Sequence, residues 1–275
     1  MASLVRNRNH DQEVVGLVPA AGSGKRIAPL PCSKELFPIG FQRSEGNSEP
    51  RVKVVSHYLL EKFRIAGIAT AYIVLREGKW DIPAYFSDGA MLDMHLAYVV
   101  IPGSFGPPDT LDRAYSFVRN KVIVFGFPDI LFGPDDVFAQ LLQHQTSTSS
   151  DVVLGLYLAH DSKAMDMVDI DANGRIHSMV LKPAHTHLRY AWVCGVWSSV
   201  FTEFMHEFLA SPESKTNLDR SADRKIDAQG DVPIGAVIQA AIRKGLRVDG
   251  VSFPDETYVD IGTPEDLVKA CRIYR

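Results

Sequence analysis

The chain has 275 residues, with 29 lysines and arginines against 33 aspartates and glutamates, for a formal charge of −4. At roughly 150 residues per domain this is one large or two small domains with ample chain for a core. A 46% apolar, 23% charged composition excludes a disordered, fibrous or disulfide-dense chain, and the acidic balance excludes a broad nucleic-acid surface, which needs clustered cations. If the substrates are polyanions, a few placed cations or a metal must hold them.

Residues 1–13 are polar and read as a flexible N-terminal tail. Val14–Pro19 is a short apolar run that enters Ala20-Ala21-Gly22-Ser23-Gly24-Lys25-Arg26, a buried strand followed by a glycine-rich turn. Residues 41–51 are polar and predict a loop. Val54, Val55, Tyr58, Leu59 and Phe63 recur at helical spacing, with Gly67 as a stop. Further strands are predicted at 71–75, 97–101, 122–125 and 151–159, with helices at about 110–118 and 135–144. This alternation predicts a mostly parallel sheet covered on both faces. After residue 160 the rhythm changes. Val168 and Ile170 alternate with polar residues, Asp171-Ala172-Asn173-Gly174 turns the chain, and Ile176 and Met179 follow, which predicts an antiparallel hairpin. A strand at 191–197 and a helix at 199–210 come next, then a polar, loop-rich stretch at 211–231. A helix at 232–244, a strand at 246–253 and a helix at 264–274 close the chain. The expected architecture is α/β: a Rossmann-like mixed, mostly parallel sheet sandwiched by helices, with an antiparallel hairpin insertion, in a single domain over 14–275.

Several residue patterns carry chemistry. Glycines in the 22–24 turn let backbone N–H groups approach an anion, and Lys25 and Arg26 add charge; a plain strand-to-helix turn fits those residues as well. The spacing is neither that of a Walker loop nor that of a dinucleotide fingerprint. Lys34, in Ser33-Lys34-Glu35-Leu36-Phe37-Pro38-Ile39, follows closely enough to reach the same phosphates. Asp129 lies beyond the strand at 122–125, where ligands bind in open α/β sheets, and is a good Mg²⁺ ligand type; a helix-capping role is the plainer reading of it alone. Asp260 sits at another strand end, before Thr263 as a cap and Pro264 at the first helical position. Lys182-Pro183 closes the hairpin, and Gly195 interrupts a strand of large apolar residues, as a ligand approach or a bulge would. The three cysteines, Cys32, Cys194 and Cys271, have no metal or redox spacing, and the nine histidines form no metal pattern.

In order and spacing these motifs resemble the sugar-1-phosphate nucleotidyltransferases, above all the glucose-1-phosphate thymidylyl- and uridylyltransferase group. The resemblance runs through Ala21-Gly22-Ser23-Gly24-Lys25-Arg26, Ser33–Ile39, Gly126-Phe127-Pro128-Asp129-Ile130-Leu131-Phe132, Leu181-Lys182-Pro183 with Gly195 beyond, and Tyr258-Val259-Asp260-Ile261-Gly262-Thr263-Pro264. It implies a nucleoside triphosphate and a sugar-1-phosphate as partners, Mg²⁺ as cofactor and a pyrophosphate leaving group. It places the nucleotide on Ala21, Gly22, Ser23, Gly24, Lys25, Asp109 and Thr110. Arg26, Lys34 and Lys182 become the catalytic cations, Lys182 and Gly195 the sugar-phosphate contacts within about 160–230, and Asp129 and Asp260 the metal ligands. No nucleic-acid or membrane partner is expected. A cytoplasmic location and a homo-oligomer are in keeping with the group. The chain departs from the pattern at six positions, one of them the unusual Pro128 before Asp129. Ala21 replaces the first loop glycine, Lys25 a Thr or Ser, Phe105 a base-reading Gln, Thr110 a Gly, and Leu181 a sugar-binding Glu. A phenyl ring cannot make an amide's hydrogen bonds, so the motifs fix neither base nor sugar. A weakly catalytic nucleotide or sugar-phosphate sensor, and a cytidylyltransferase-like enzyme for a non-sugar phosphate, stand as alternatives.

Overall fold

In the computed structural model, residues 12–42, 50–211 and 232–274 are described; the proposed tail up to residue 11 and most of the loop-rich 211–231 stretch lie outside them. At the centre, four parallel strands run side by side in the order β5 (His95–Ile101), β4 (Thr70–Arg76), β1 (Val14–Ala20), β6 (Val122–Gly126). All five residues of β6 are buried, as befits a strand covered on both faces. Side-chain alternation divides the core. Val18, Ala20 and Val124 face a cluster with α1 (Val55–Ile65) and α5 (Val137–Thr148). Val15, Leu17, Ile123 and Phe125 face a second cluster. That one is built with α3 (Pro107–Asp112), α6 (Ser199–Ala210) and α7 (Ile234–Arg243). Fully buried side chains such as Phe63, Phe125 and Phe201 are each worth roughly 1.5–3 kcal/mol of transfer free energy.

Past β6 the sheet turns antiparallel. β11 (Tyr190–Trp197) pairs β6 on one side and β8 (Val152–Leu158) on the other, and β12 (Val248–Ser252) joins β8 in parallel. The predicted hairpin forms as β9 (Met167–Ile170) and β10 (Ile176–Val180), with Gly174 at φ +83° in its turn, and it docks on the Tyr190 end of β11. The structure therefore has the expected mixed, mostly parallel sheet with an antiparallel hairpin insertion.

Three elements differ from expectation. The 41–51 stretch is not all loop: β2 (Pro38–Gln42) and β3 (Arg51–Val54) pair as an antiparallel ribbon whose ends are described. Of the ribbon residues whose burial is described, only Ile39, Gly40, Lys53 and Val54 are buried, and Phe41 is exposed, so the sequence shows no alternation there. The helix expected at 110–118 begins earlier and splits into α3 and α4 (Tyr115–Val118), because Pro107 and Pro108 suit a first helical turn. Finally, β7 (Ile130–Phe132) and β13 (Tyr258–Asp260) form a short antiparallel ribbon that no periodicity announces.

Candidate active site

β1 ends at Ala20, and Ala21 is buried at the start of the glycine turn. Gly24 has φ +64°, a conformation that favours glycine. Its carbonyl accepts hydrogen bonds from Ile27 and Ala28, folding the turn back on itself. A side chain at Gly22 would meet open space. Among the described residues, Gly22, Ser23 and Lys25 make no hydrogen bond to the rest of the chain. The turn is thus built and rigidified while its outer amides stay free, which is the requirement for holding an anion.

The β7–β13 ribbon brings the two acids together. Val259 pairs Leu131, Asp260 pairs Ile130, and the Ile261 N–H donates to the Asp129 carbonyl at 2.9 Å. Asp129 is 7% exposed, and its carboxylate is ion-paired to Lys34. Burial alone would lower the Lys34 pKa, but Asp129, with help from Glu35 and Asp260, reverses this and holds it above the usual lysine value. Asp260 is pushed up to about 6, first by burial and then by the neighbouring Asp129 charge, against the pull of Lys34 and Arg26. Arg26 closes the group. A Cβ on Gly262 would lie 3.1 Å from its Nη2 and 3.3 Å from Asp260 Oδ1, so a glycine at 262 leaves room for the guanidinium beside the acid. Thr263 caps the helix Pro264–Ile273 by accepting from the Asp266 N–H, as its position after Gly262 predicts.

The setting of Lys34 was not legible beforehand. It lies on a single 3₁₀ turn, Lys34–Leu36, anchored at three points. Asp81 accepts from the Ser33 N–H at 2.6 Å and from its hydroxyl at 2.7 Å. The Ser56 hydroxyl donates to the Glu35 carbonyl at 2.7 Å. The Glu35 carboxylate, 2% exposed, takes Lys79 Nζ at 2.6 Å. Burial raises the Glu35 pKa, with Lys79 opposing, and Oε2 has no partner. Charged residues such as Glu35, Lys79 and Asp81 read as surface in a sequence; the signal that could have flagged Glu35 is only its position beside Lys34.

Other expected site residues take part in contacts of their own. Asp109 Oδ2 accepts from the Phe105 N–H and its Oδ1 pairs with Arg113. Thr110 is 4% exposed, with its hydroxyl bonded to Ser104 Oγ and the Gly106 carbonyl. Both therefore brace the segment before α3, while Phe105 is 68% exposed on it. A Cβ on Gly195 would lie 3.0 Å from Leu154 Cδ2 and 3.1 Å from the Val153 carbonyl, so close strand packing also calls for a glycine there. Lys182 lies past the end of β10 with φ +41°, a left-handed conformation unusual for lysine, and it faces Asp166.

The family model for nucleotidyl transferases matches residues 15–275. The chain belongs to the nucleotidyl transferase family. It is 24% identical over 259 residues to a glucose-1-phosphate thymidylyltransferase of Actinoplanes, covering 93% of this chain and 76% of that one. It is 25% identical to a Bacillus subtilis protein that carries the provisional name UTP–glucose-1-phosphate uridylyltransferase, covering 92% and 93%. A solved UDP-glucose pyrophosphorylase in complex with UDP-glucose superposes with a TM-score of 0.73 at 17% identity, covering 95% of this chain and 98% of that one. The membership expected from the five motifs therefore holds, as does the fold. Among the described residues, no helix is long and apolar enough to cross a membrane.

Proposed function

We propose that this family member transfers a nucleotidyl group from a nucleoside triphosphate to a sugar-1-phosphate, releasing pyrophosphate and forming a nucleotide sugar. The observation that carries the reading is the convergence of Arg26, Lys34, Asp129 and Asp260 beside a glycine turn with free amides. The sugar-phosphate class is supported by the names of the relatives matched above.

A phosphate oxygen of the sugar-1-phosphate attacks the α-phosphorus in line. The bond from that phosphorus to the bridging oxygen breaks, and pyrophosphate leaves. With a second phosphate pKa near ~6, the attacking oxygen is already ionised at neutral pH, so no general base is required. The work is positioning and charge neutralisation. Amides of Gly22 to Lys25 hold the triphosphate. Arg26 takes up charge on the departing pyrophosphate. Lys34 exchanges Asp129 for a phosphate oxygen, and Lys182 holds the sugar phosphate. Two neighbouring carboxylates, one of them pushed up to about 6 first by burial and then by the charge of the other, suit a hard divalent cation, and among the described residues no third metal-ligating side chain joins them. That donor set fits Mg²⁺, which keeps waters and takes phosphate oxygens as its remaining ligands. Asp129 and Asp260 would hold it, and it would supply neutralisation of the phosphoryl oxygens. The exposed Phe105 ring offers the base a face for stacking, which does not discriminate among bases.

The test is a matrix of the nucleoside triphosphates against a panel of sugar-1-phosphates with Mg²⁺, read by pyrophosphate release. One pair with turnover supports the proposal. Folded protein that binds nucleotide yet releases pyrophosphate with no pair overturns it.

A further inference from the structure

The sheet register singles out a residue that none of the matched motifs contains. Met167, the first residue of β9, pairs Val180 of β10 on one side and Ala191 of β11 on the other. Asp166 therefore sits one step outward, between Leu181 and Trp192. The Trp192 ring lies 6.1 Å from that of Phe127, two residues before Asp129. Lys182, Asp166, Trp192 and the Phe127–Asp129 segment thus form a row along one edge of the sheet, at the end where the strand β6 delivers Asp129.

Asp166 is half-buried, and one oxygen of its carboxylate is left unsatisfied. Its Oδ1 is buried with no hydrogen-bond partner. The backbone N–H of Lys182 and the indole of Trp192 face the carboxylate, and the Lys182 charge opposes the upward pull of burial, yet burial prevails and the pKa is raised. Space for the group is made on the opposite wall. A Cβ on Gly235, in the first turn of α7, would lie 3.0 Å from Asp166 Cγ and 2.8 Å from Leu181 Cδ2. Leu181 therefore turns its apolar side chain onto α7, and the carboxylate in this row is supplied from the neighbouring strand. The same helix is tied to the segment before α3, since the Val232 N–H donates to the Phe105 carbonyl at 3.2 Å. A buried carboxylate oxygen without a partner costs free energy that a donor from a ligand would recover.

We propose that Asp166 is a specificity-determining residue of the acceptor site, with Oδ1 accepting a hydrogen bond from a sugar hydroxyl while Lys182 holds the phosphate of the same molecule. The inference rests on the sugar-phosphate reading above and adds the side chain that senses the sugar ring. A hydroxyl bonded to a charged group has a worth that corresponds to roughly a 10–100-fold change in affinity.

The experiment uses the full chain with Mg²⁺ and calorimetry of glucose 1-phosphate, galactose 1-phosphate and mannose 1-phosphate, then the monodeoxy derivatives of the tightest binder. Inorganic phosphate and a nucleoside triphosphate serve as controls. For wild type, one monodeoxy sugar phosphate is expected to lose tenfold or more. Asp166→Asn is expected to weaken the parent sugar phosphate by a similar factor and to stop discriminating against that deoxy derivative, with phosphate and nucleotide affinities unchanged within twofold. Equal binding of the sugar phosphates by wild type and Asp166→Asn overturns the inference alone. A parallel loss of sugar phosphate, phosphate and nucleotide, with a lowered Tm, also overturns it, because it marks a structural role. Wild type that binds nucleotide but none of the sugar phosphates overturns the sugar reading itself. Wild type that binds every monodeoxy derivative as tightly as the parent also overturns the inference, and that arm holds even if the substitution fails to fold.

Discussion

Asp260→Asn should stabilise the metal-free protein. Burial and Asp129 together raise the folded pKa of Asp260 from the ordinary 3.8 to about 6, which means that the fold prefers the neutral acid. A raised carboxyl contributes stability that is full below pH ~4 and is lost as pH rises through about 6. Above pH 7 the wild type therefore carries the whole penalty. Two pH units at 1.36 kcal/mol each set it at no more than about 3 kcal/mol. Asn keeps the shape and removes the charge. For a chain of this size that corresponds to a rise in Tm of roughly 5 °C. The assay is thermal unfolding at pH 8 in EDTA, repeated at pH 5, where the difference should shrink. Millimolar Mg²⁺ should then raise the wild-type Tm by mass action and leave the variant unmoved, and the variant should lose turnover. An Asp260→Asn protein less stable than wild type at pH 8 in EDTA would refute the reasoning, because it would show that attraction to Lys34 and Arg26 outweighs burial and Asp129.

Three further perturbations follow from the packing. Gly262→Ala places a methyl about 3 Å from Arg26 Nη2; the flexible guanidinium yields, so Tm should stay within about 1–2 °C while kcat falls tenfold or more, since ~1 Å of misplacement costs up to ~100-fold. Lys79→Met leaves the buried Glu35 carboxylate unpaired and should cost about 3–5 kcal/mol, whereas Glu35→Gln combined with Lys79→Met should recover most of it in denaturant titrations. His57 is 3% exposed with Nδ1 unpartnered, and burial lowers its pKa to about 4. Its contribution is present above pH ~6.5 and lost as pH falls through 4, so His57→Gln should flatten the decline of Tm between pH 6.5 and pH 4.

How much of this was readable beforehand depends on whether a feature is local. The strand into the glycine turn is visible because Val14–Ala20 is apolar and Gly22 and Gly24 break it; both signals lie within a dozen residues. Asp129 and Asp260 were recognisable as strand-end acids, but their meeting was not. It depends on a ribbon with three residues in each strand, too short for any periodicity and closed between distant parts of the chain. Asp109 and Thr110 carry a layer no motif shows: beside the nucleotide contact their place in a motif suggests, their side chains bond within their own segment, to the Phe105 N–H and Arg113 and to Ser104 and the Gly106 carbonyl. Asp166 was hidden for a different reason. It follows the polar run His160-Asp161-Ser162-Lys163 and then Ala164-Met165, where a carboxylate reads as solvated, and only the register of β9 between β10 and β11 sets it between Leu181 and Trp192.

The charge balance of the site explains how an acidic chain can handle a polyanion. Lys79, Glu35, Lys34, Asp129, Asp260 and Arg26 adjoin one another in that order, either paired directly or acting on one another's charge. Three cations face three anions, so the metal-free cluster has little net field to draw in a triphosphate. What the cluster does have is exchangeable pairing. Lys34 is held by Asp129 for want of a better partner, and burial, with the Asp129 charge second, disfavours the charged form of Asp260. Under the proposed function, a divalent cation bound by the two acids removes the hold on Lys34 and frees it for phosphate at the same time. Cation and nucleotide then favour each other's binding, because each supplies the charge that the other's ligands lack. Glu35 and Lys79, buried beneath, keep Lys34 in place through that exchange, since their own pairing does not change when Asp129 lets go.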